Sequence, residues 1–323
     1  MSARPFRFGV GPAGLLGAAA DGWVETVREY ERLGYSTVCL GDHLSMMGPL
    51  PALAAAGAAS ERIGLGLMVA GNDYRQPLLL AQDAATVQAL SGGRLELGIG
   101  AGWDRADYRQ LGIEMERPGL RIERLAEAVT IVKRYLASAP SGAGAPGAGE
   151  PFSFHGEHYR LDEVAPCPVP LSAPPRLMIG GGGPRVLALA AREADVVGIN
   201  VPLRSADVRD SIAAGGTAAT RVEAAVAGIR EAAGARFERI ELHVNVLFCD
   251  VTDDPEPRLA SASRLLAVPV AELEDSPFVL VGGAAELEAK LRRLRERLGI
   301  SYFTVDAAAA ESLAPIVQRL TGT

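Results

Sequence analysis

Lysine is almost missing from this chain. Lys133 and Lys290 are the two present, against thirty arginines. With abundant alanine and glycine, the scarcity reads as a GC-rich bacterial coding bias. Positive charge is not in excess either. The net charge is −7 and the pI about 5.3, which excludes the basic face of a nucleic-acid binder. Cysteine is sparse: Cys39, Cys167 and Cys249 are odd in number, far apart and outside any CxxC or Cys/His metal spacing. They read as reduced thiols of a cytoplasmic protein, with no disulfide framework and no metal site. No run of about 18 apolar residues exists to span a membrane. The opening MSARPFRFGV lacks an apolar signal stretch and passes directly into a strand pattern.

What is present describes a globular enzyme-sized chain. Hydrophobic residues are 48% and charged residues 22%, which excludes general disorder. The 323 residues suit two domains of about 100–200 residues each. They also suit one (β/α)₈ barrel with insertions, which runs from about 200 to over 400 residues. Short apolar segments at 6–10, 37–40, 63–69, 95–100, 176–179, 196–199, 242–248 and 302–305 read as eight strands. Helical stretches follow most of them. Asp21 caps a helix over 23–33 that Gly34 ends, an alanine-rich helix lies near 51–59, and Pro77 opens a helix reaching Leu90. Ile122, Leu125, Ala126, Val129 and Val132 recur at helical spacing, and a last helix lies near 312–320.

Strand–helix alternation implies parallel strands. Eight units fit a closed TIM barrel with insertions, as one domain over 1–323, better than a doubly wound sheet. Two stretches interrupt the alternation. Residues 138–151 are mostly Gly, Ala, Pro and Ser and read as a mobile surface insertion. A small hairpin is expected over 152–161, and the order of strands within 250–280 is open.

In a parallel barrel the chemistry sits on the loops after the strands. After the second strand come Gly41, Asp42 and His43. An imidazole beside a carboxylate can move a proton near neutral pH; the other reading is a helix cap and an ordinary loop residue. The third strand leads into Gly71-Asn72-Asp73-Tyr74-Arg75-Gln76-Pro77, and the fourth into Gly98-Ile99-Gly100-Ala101-Gly102-Trp103-Asp104. The alternating glycines let a flat ring or phosphate approach the backbone, or they serve tight packing. They do not make a dinucleotide fingerprint. After the fifth strand stand Gly180, Gly181, Gly182, Gly183, Pro184 and Arg185. Free N–H groups at a helix start attract a phosphate, while the Lys-Ser/Thr pair of an NTPase loop is absent.

The order of Gly41-Asp42-His43, Ser91-Gly92-Gly93-Arg94 with Leu97-Gly98-Ile99-Gly100-Ala101-Gly102-Trp103, the 121–132 helix and the 180–195 stretch resembles the luciferase-like family of flavin and deazaflavin oxidoreductases. It is most similar to the actinobacterial branch that uses coenzyme F420. The resemblance implies an insertion-bearing barrel with the cofactor ring in the mouth formed by the strand ends. It makes His43 the proton donor or ring-stabilising group and Asp42 its neighbour at the ring. Met68 and Val69 match the family's non-prolyl cis peptide behind the ring. Gly71, Ala101, Gly102 and Ala106 match positions lining the cofactor. Gly182, Gly183, Arg185 and Val186 match its phosphate-binding turn, and Asn200 a substrate-facing position.

Two departures matter. Trp103 stands where the deazaflavin sugar-phosphate dehydrogenases have a catalytic Glu, so that acid/base pair is not expected; Trp103 instead walls an apolar substrate pocket. Ala106 replaces a polar cofactor ligand. The expected function is hydride transfer between coenzyme F420 and a small organic substrate with an activated C=C, C=N or carbinol group. The alternatives are an FMN-dependent monooxygenase and a non-catalytic cofactor-binding barrel. The expected partners are the small-molecule substrate and a second copy of the chain in a homodimer.

Overall fold

The computed structural model describes residues 4–11, 22–139, 151–169, 171–202, 216–266 and 268–323. Eight parallel strands close into a barrel. They are β1 (Arg7–Gly11), β2 (Thr37–Leu40), β3 (Gly64–Gly71), β4 (Leu95–Gly100), β7 (Arg176–Gly181), β8 (Val196–Ile199), β9 (Glu241–Asn245) and β12 (Ile300–Asp306). Their spatial order is β1-β12-β9-β8-β7-β4-β3-β2. Most are buried on both faces, which is why they read as unbroken apolar runs. Around them lie α1 (Trp23–Arg32), α2 (Pro49–Ala59), α3 (Pro77–Leu90), α4 (Arg105–Leu111), α5 (Pro118–Ala137), α6 (Pro184–Glu193), α7 (Ala219–Ala233), α10 (Ala284–Leu298) and α11 (Ala310–Leu320). The chain is a (β/α)₈ barrel with insertions.

The insertions stand outside the ring of strands. β5 (Phe152–His155) and β6 (Arg160–Val164) form the antiparallel hairpin. Residues 140–150 of the expected insertion lie outside the described residues, as does the Asp21 cap. The segment expected as one strand over 242–248 divides. β9 ends at Asn245, and Phe248 opens β10 (Phe248–Val251), which pairs in parallel with β11 (Val279–Gly282). The break follows the hydrogen bonds: Leu247 and Phe248 both donate from their backbone N–H to the Phe278 carbonyl, away from the barrel. Between β10 and β11 run α8 (Pro255–Leu266) and α9 (Val270–Glu274).

The two ends of the barrel differ in kind. At the N-terminal end Arg7 pairs with Glu96 and with Glu241, the latter at 2.7 Å, and Arg176 reaches Glu241 at 2.9 Å. Tyr302 lies over the Arg7 guanidinium, 4.4 Å from ring centroid to Cζ. The turn Ser91–Arg94 belongs to this end too. Gly92 and Gly93 take φ of 64° and 92°, which L side chains avoid. Arg94 then ties β4 to the end of α2 through the carbonyls of Gly57, Ser60 and Ile63, at 2.7, 2.9 and 2.8 Å. This end is a structural plug, and the opposite end is left to carry chemistry.

Candidate functional site

At the C-terminal mouth, the chain turns outward after β2 and its two polar residues part company. Asp42 is 6% exposed and faces the next loop. It accepts from Arg75 through both oxygens, at 2.9 and 2.6 Å, and from the Gly71 N–H at 3.2 Å. Tyr74 donates its hydroxyl to the Asp42 carbonyl at 2.9 Å. His43 turns the other way. Its Nδ1 lies 2.7 Å from Oδ2 of Asp107 and 3.8 Å from Oδ2 of Asp104. The Trp103 indole stands edge-on to its imidazole, centroids 5.3 Å apart at 76°.

Those partners come from the start of α4. Asp104 caps the helix by accepting from the Ala106 N–H at 2.7 Å, so that donor is occupied. Asp107 follows three residues on, on the same face. Its Oδ1 accepts from the Leu44 N–H at 3.1 Å, and the residue is 3% exposed. The 101–102 loop is clamped from behind. Arg121 of α5 is buried and donates to the carbonyls of Ala101 and Gly102. Tyr108 donates its hydroxyl to Asp73 at 2.7 Å; burial, then that carboxylate, push its phenol above the usual range, so it stays protonated.

The glycines of the mouth make room for particular neighbours. The Met68–Val69 peptide bond is cis. A Cβ on Gly98 would meet Val69 Cγ1 at 2.8 Å and the Leu67 carbonyl at 2.2 Å, and one on Gly100 would meet Val69 Cγ2 at 2.6 Å. Gly71 gives space to the Tyr74 ring. Gly102 has φ +76° and its Cβ would strike the Tyr108 hydroxyl at 2.1 Å. In the four-glycine turn, Gly181 faces Val186 and Gly182 faces the backbone of Asn200 and Pro202, whereas a Cβ on Gly183 would meet nothing within 4 Å. Gly183 is the N-cap of α6 and no side chain caps that helix. The N–H groups of Arg185 and Val186 are therefore first-turn donors without an intrahelical partner, beside open space.

Residues 6–301 match the family described as Luciferase-like monooxygenase. The chain belongs to that family. An F420-dependent glucose-6-phosphate dehydrogenase from Microbacterium testaceum is 31% identical over 174 residues, 51% of this chain and 48% of that protein. A 5,10-methylenetetrahydromethanopterin reductase from Archaeoglobus fulgidus is 31% identical over 174 residues, 54% of this chain and 47% of that protein. The chain thus spans about half the length of these curated relatives. The coenzyme F420 dependent tetrahydromethanopterin reductase from Methanopyrus kandleri superposes with a TM-score of 0.74 at 16% identity, covering 98% of each chain. At that identity the likeness is one of fold.

Set in this luciferase-like barrel, nine of the expected site residues fall into two groups. His43, Trp103, Ala101, Gly102 and Ala106 gather where β2 and β4 end. Gly182, Gly183, Arg185 and Val186 gather at the start of α6, where Arg185 is 61% exposed in its side chain and pairs with Glu123 at 3.1 Å. Val186 buries its side chain, which faces Gly181. Asn200 is exposed at the end of β8, its backbone N–H bound to the Gly181 carbonyl at 3.0 Å and its amide beside Gly180.

Sequence reasoning missed Asp104, Asp107, Arg75 and Arg121. The carboxylate it set beside His43 was Asp42, which serves Arg75 instead. A signal was present: Asp104 and Asp107 share the i, i+3 spacing directly after a glycine-rich strand end. Ligand atoms of His43, Asp104 and Asp107 lie within 4.8 Å of one another, but Nδ1 and Oδ2 are joined in a hydrogen bond and we assign no metal to them. A second histidine lies inside the barrel. His243 is fully buried, with Nε2 2.8 Å from the Thr304 hydroxyl, and burial, then Arg7, push it down to about 3. Burial also pushes the Cys39 thiol up to about 12, so it is inert. No helix among the described residues is long and apolar enough to cross a membrane.

Proposed function

We propose that the chain is an oxidoreductase that transfers a hydride between coenzyme F420 and a small organic substrate, at an activated C=C or C=N bond or a carbinol carbon. The observation that carries this reading is the side-chain-free start of α6 facing open space at Gly183, on the same barrel mouth as a histidine anchored through Nδ1. The donor set fits the group: unpaired backbone N–H groups and Arg185 suit a phosphate, and the apolar back wall at Val69 suits a planar ring.

When bound, the deazaflavin supplies or accepts the hydride. The residues of this chain do the rest. The N–H groups of Arg185 and Val186, with the Arg185 guanidinium, hold the phosphate. Gly71 and Gly102 give room to Tyr74 and Tyr108, Arg121 holds the 101–102 loop, and Asp42 keeps the β2 and β3 loops together, so these residues would shape the mouth in which the ring would sit. His43 holds or moves a proton at Nε2. Trp103, 42% exposed, presents an apolar wall to the substrate and restricts water. Because an indole stands where the sugar-phosphate dehydrogenases of the family carry their glutamate, the chain does not use that acid/base pair on a sugar phosphate. A cytoplasmic homodimer is part of the same proposal and rests on the family resemblance.

Equilibrium dialysis with F420 and with FMN, followed by hydride-transfer assays with the bound cofactor, tests the proposal. Binding of F420 in preference to FMN is expected. Binding of FMN alone would give the chain to oxygen insertion, cofactor binding without turnover would make it a non-catalytic cofactor-binding barrel, and binding of neither would overturn the proposal.

A further inference from the structure

We infer that Asp107 is the positioning residue of His43: it holds the imidazole in the tautomer with its proton on Nδ1 and leaves Nε2 as the atom that exchanges a proton with the substrate. The inference rests on the role of His43 just proposed. The two residues are 64 positions apart, on the loop after β2 and on the first turn of α4.

The geometry selects the tautomer. An ionised carboxylate only accepts hydrogen bonds. Asp107 uses Oδ1 for the Leu44 N–H at 3.1 Å and Oδ2 for His43 Nδ1 at 2.7 Å. Nδ1 must therefore carry the hydrogen. The next polar atom on that side, Oδ2 of Asp104 at 3.8 Å, is another acceptor. Nε2 is on the far side of the ring from Asp107 and makes no hydrogen bond among the described residues. The Trp103 indole packs against the ring at 76°. When Nε2 takes a proton from a substrate hydroxyl, or returns one to a substrate atom, the bond to hydrogen is exchanged between those two atoms alone. Asp107 accepts from Nδ1 throughout and faces the imidazolium while it exists.

The alternative is that Asp107 only ties down the loop through Leu44. The Asp107→Asn variant separates the two roles. Leu44 N–H still requires an acceptor, so the amide oxygen takes the Oδ1 place. The amide NH₂ then faces Nδ1, which is forced to accept. The tautomer inverts, with the loop anchor retained.

The experiment uses ¹⁵N-histidine-labelled protein without cofactor, in buffer that keeps the ring neutral. Two-bond ¹H–¹⁵N spectra report which nitrogen of each ring carries hydrogen. The chain has four histidines, and His43 is assigned by the signal that His43→Gln removes. In the wild-type protein His43 is expected with hydrogen on Nδ1, and in Asp107→Asn with hydrogen on Nε2. With F420 at saturation, Asp107→Asn should lower kcat by about 10²-fold with little change in KM. Added to His43→Gln it should lower kcat no further, since it acts through a ring no longer there.

A wild-type His43 with hydrogen on Nε2 overturns the inference, and needs no folded variant. An unchanged tautomer in Asp107→Asn, an inverted one with wild-type kcat, or additive losses in the double variant overturn it equally. Failure of F420 to bind or turn over would instead remove the proposed function, leaving the tautomer result standing on its own spectra.

Discussion

Arg75 grips Asp42 with two prongs, Nε to Oδ2 at 2.9 Å and Nη2 to Oδ1 at 2.6 Å, across the gap between the loops that follow β2 and β3. With the Gly71 N–H also bound, the carboxylate has little left to offer a ligand. Its effect on the site is through the loops it joins. Asp42→Asn removes the charge but keeps the shape, leaving a half-exposed guanidinium without its partner. A loss of about 1–3 kcal/mol of stability is expected, since charge-assisted bonds lie in that range. Urea denaturation measures it. A variant as stable as the parent would overturn this loop-joining role for Asp42.

The four-glycine turn separates packing from binding, one residue apart. A Cβ on Gly182 would lie 2.5 Å from the Pro202 backbone, so Gly182→Ala should destabilise the fold by about 1–3 kcal/mol. Gly183 has φ −91° and open space before it. Gly183→Ala should leave the melting temperature unchanged and raise the Kd for F420 about tenfold, by obstructing the place where a phosphate meets the start of α6. Scanning calorimetry and dialysis on the two variants give opposite patterns if the turn is a phosphate cradle.

Arg185 and Glu123 make an exposed ion pair, and such pairs contribute at most about 1 kcal/mol. The guanidinium can therefore leave Glu123 for a phosphate at little cost. Arg185→Ala should keep wild-type stability while the Kd for F420 rises by about tenfold or more, the equivalent of about 1.5–3 kcal/mol. Glu123→Ala, which frees the arginine, should tighten binding slightly. An unchanged Kd in Arg185→Ala would remove the residue from the cradle.

His243 sets an acid limit on the fold. Burial, then Arg7, hold its folded-state value at about 3, below the ordinary 6.5. The unfolded chain takes up the proton first. Stability is therefore complete above about pH 6.5 and falls as pH drops from there toward 3, by about 1.4 kcal/mol per pH unit from this group. His243→Gln should flatten that part of the profile, while lowering stability at neutral pH through the changed bond to Thr304 at 2.8 Å. Urea midpoints between pH 4 and 7.5 test both statements. Equal slopes in the two proteins would place the acid limit elsewhere.

The barrel was legible because its strands are buried on both faces and keep their apolar character end to end. Pro77 and Leu90 bound α3 as the spacing predicts. Where the reading stopped, an identifiable cause intervenes. The stretch after Asn245 stays apolar, so nothing local marks the point where the chain leaves the barrel for the Phe278 carbonyl. The site was half legible. Strand ends locate His43, but they do not say which carboxylate it faces. The neighbour in sequence, Asp42, is taken by Arg75, and the partner in space, Asp107, sits on a seven-residue helix too short to show periodicity. The glycines at 98, 100 and 102 were visible as a pattern. That they accommodate Val69 and Tyr108 depends on contacts that no spacing encodes.

Trp103 and His43 share one ring contact but belong to different steps of the reaction, and kinetics can divide them. The indole is 42% exposed and touches the imidazole edge-on. Its removal takes away apolar surface that a substrate covers, with little change to the folded chain. Trp103→Ala should raise KM by about 10-fold, near the range for losing part of a buried aromatic contact. It should lower kcat far less, provided Asp107 continues to hold the imidazole. His43→Gln should do the reverse. Glutamine keeps a polar group at the mouth but cannot hold a proton at Nε2, so kcat should fall by about 10²–10⁴-fold at saturating F420, with KM and the Kd for F420 close to wild type. If Trp103→Ala costs as much kcat as His43→Gln, the indole is orienting the imidazole rather than walling the substrate. If His43→Gln keeps the wild-type kcat, the proton comes from elsewhere and His43 only shapes the pocket.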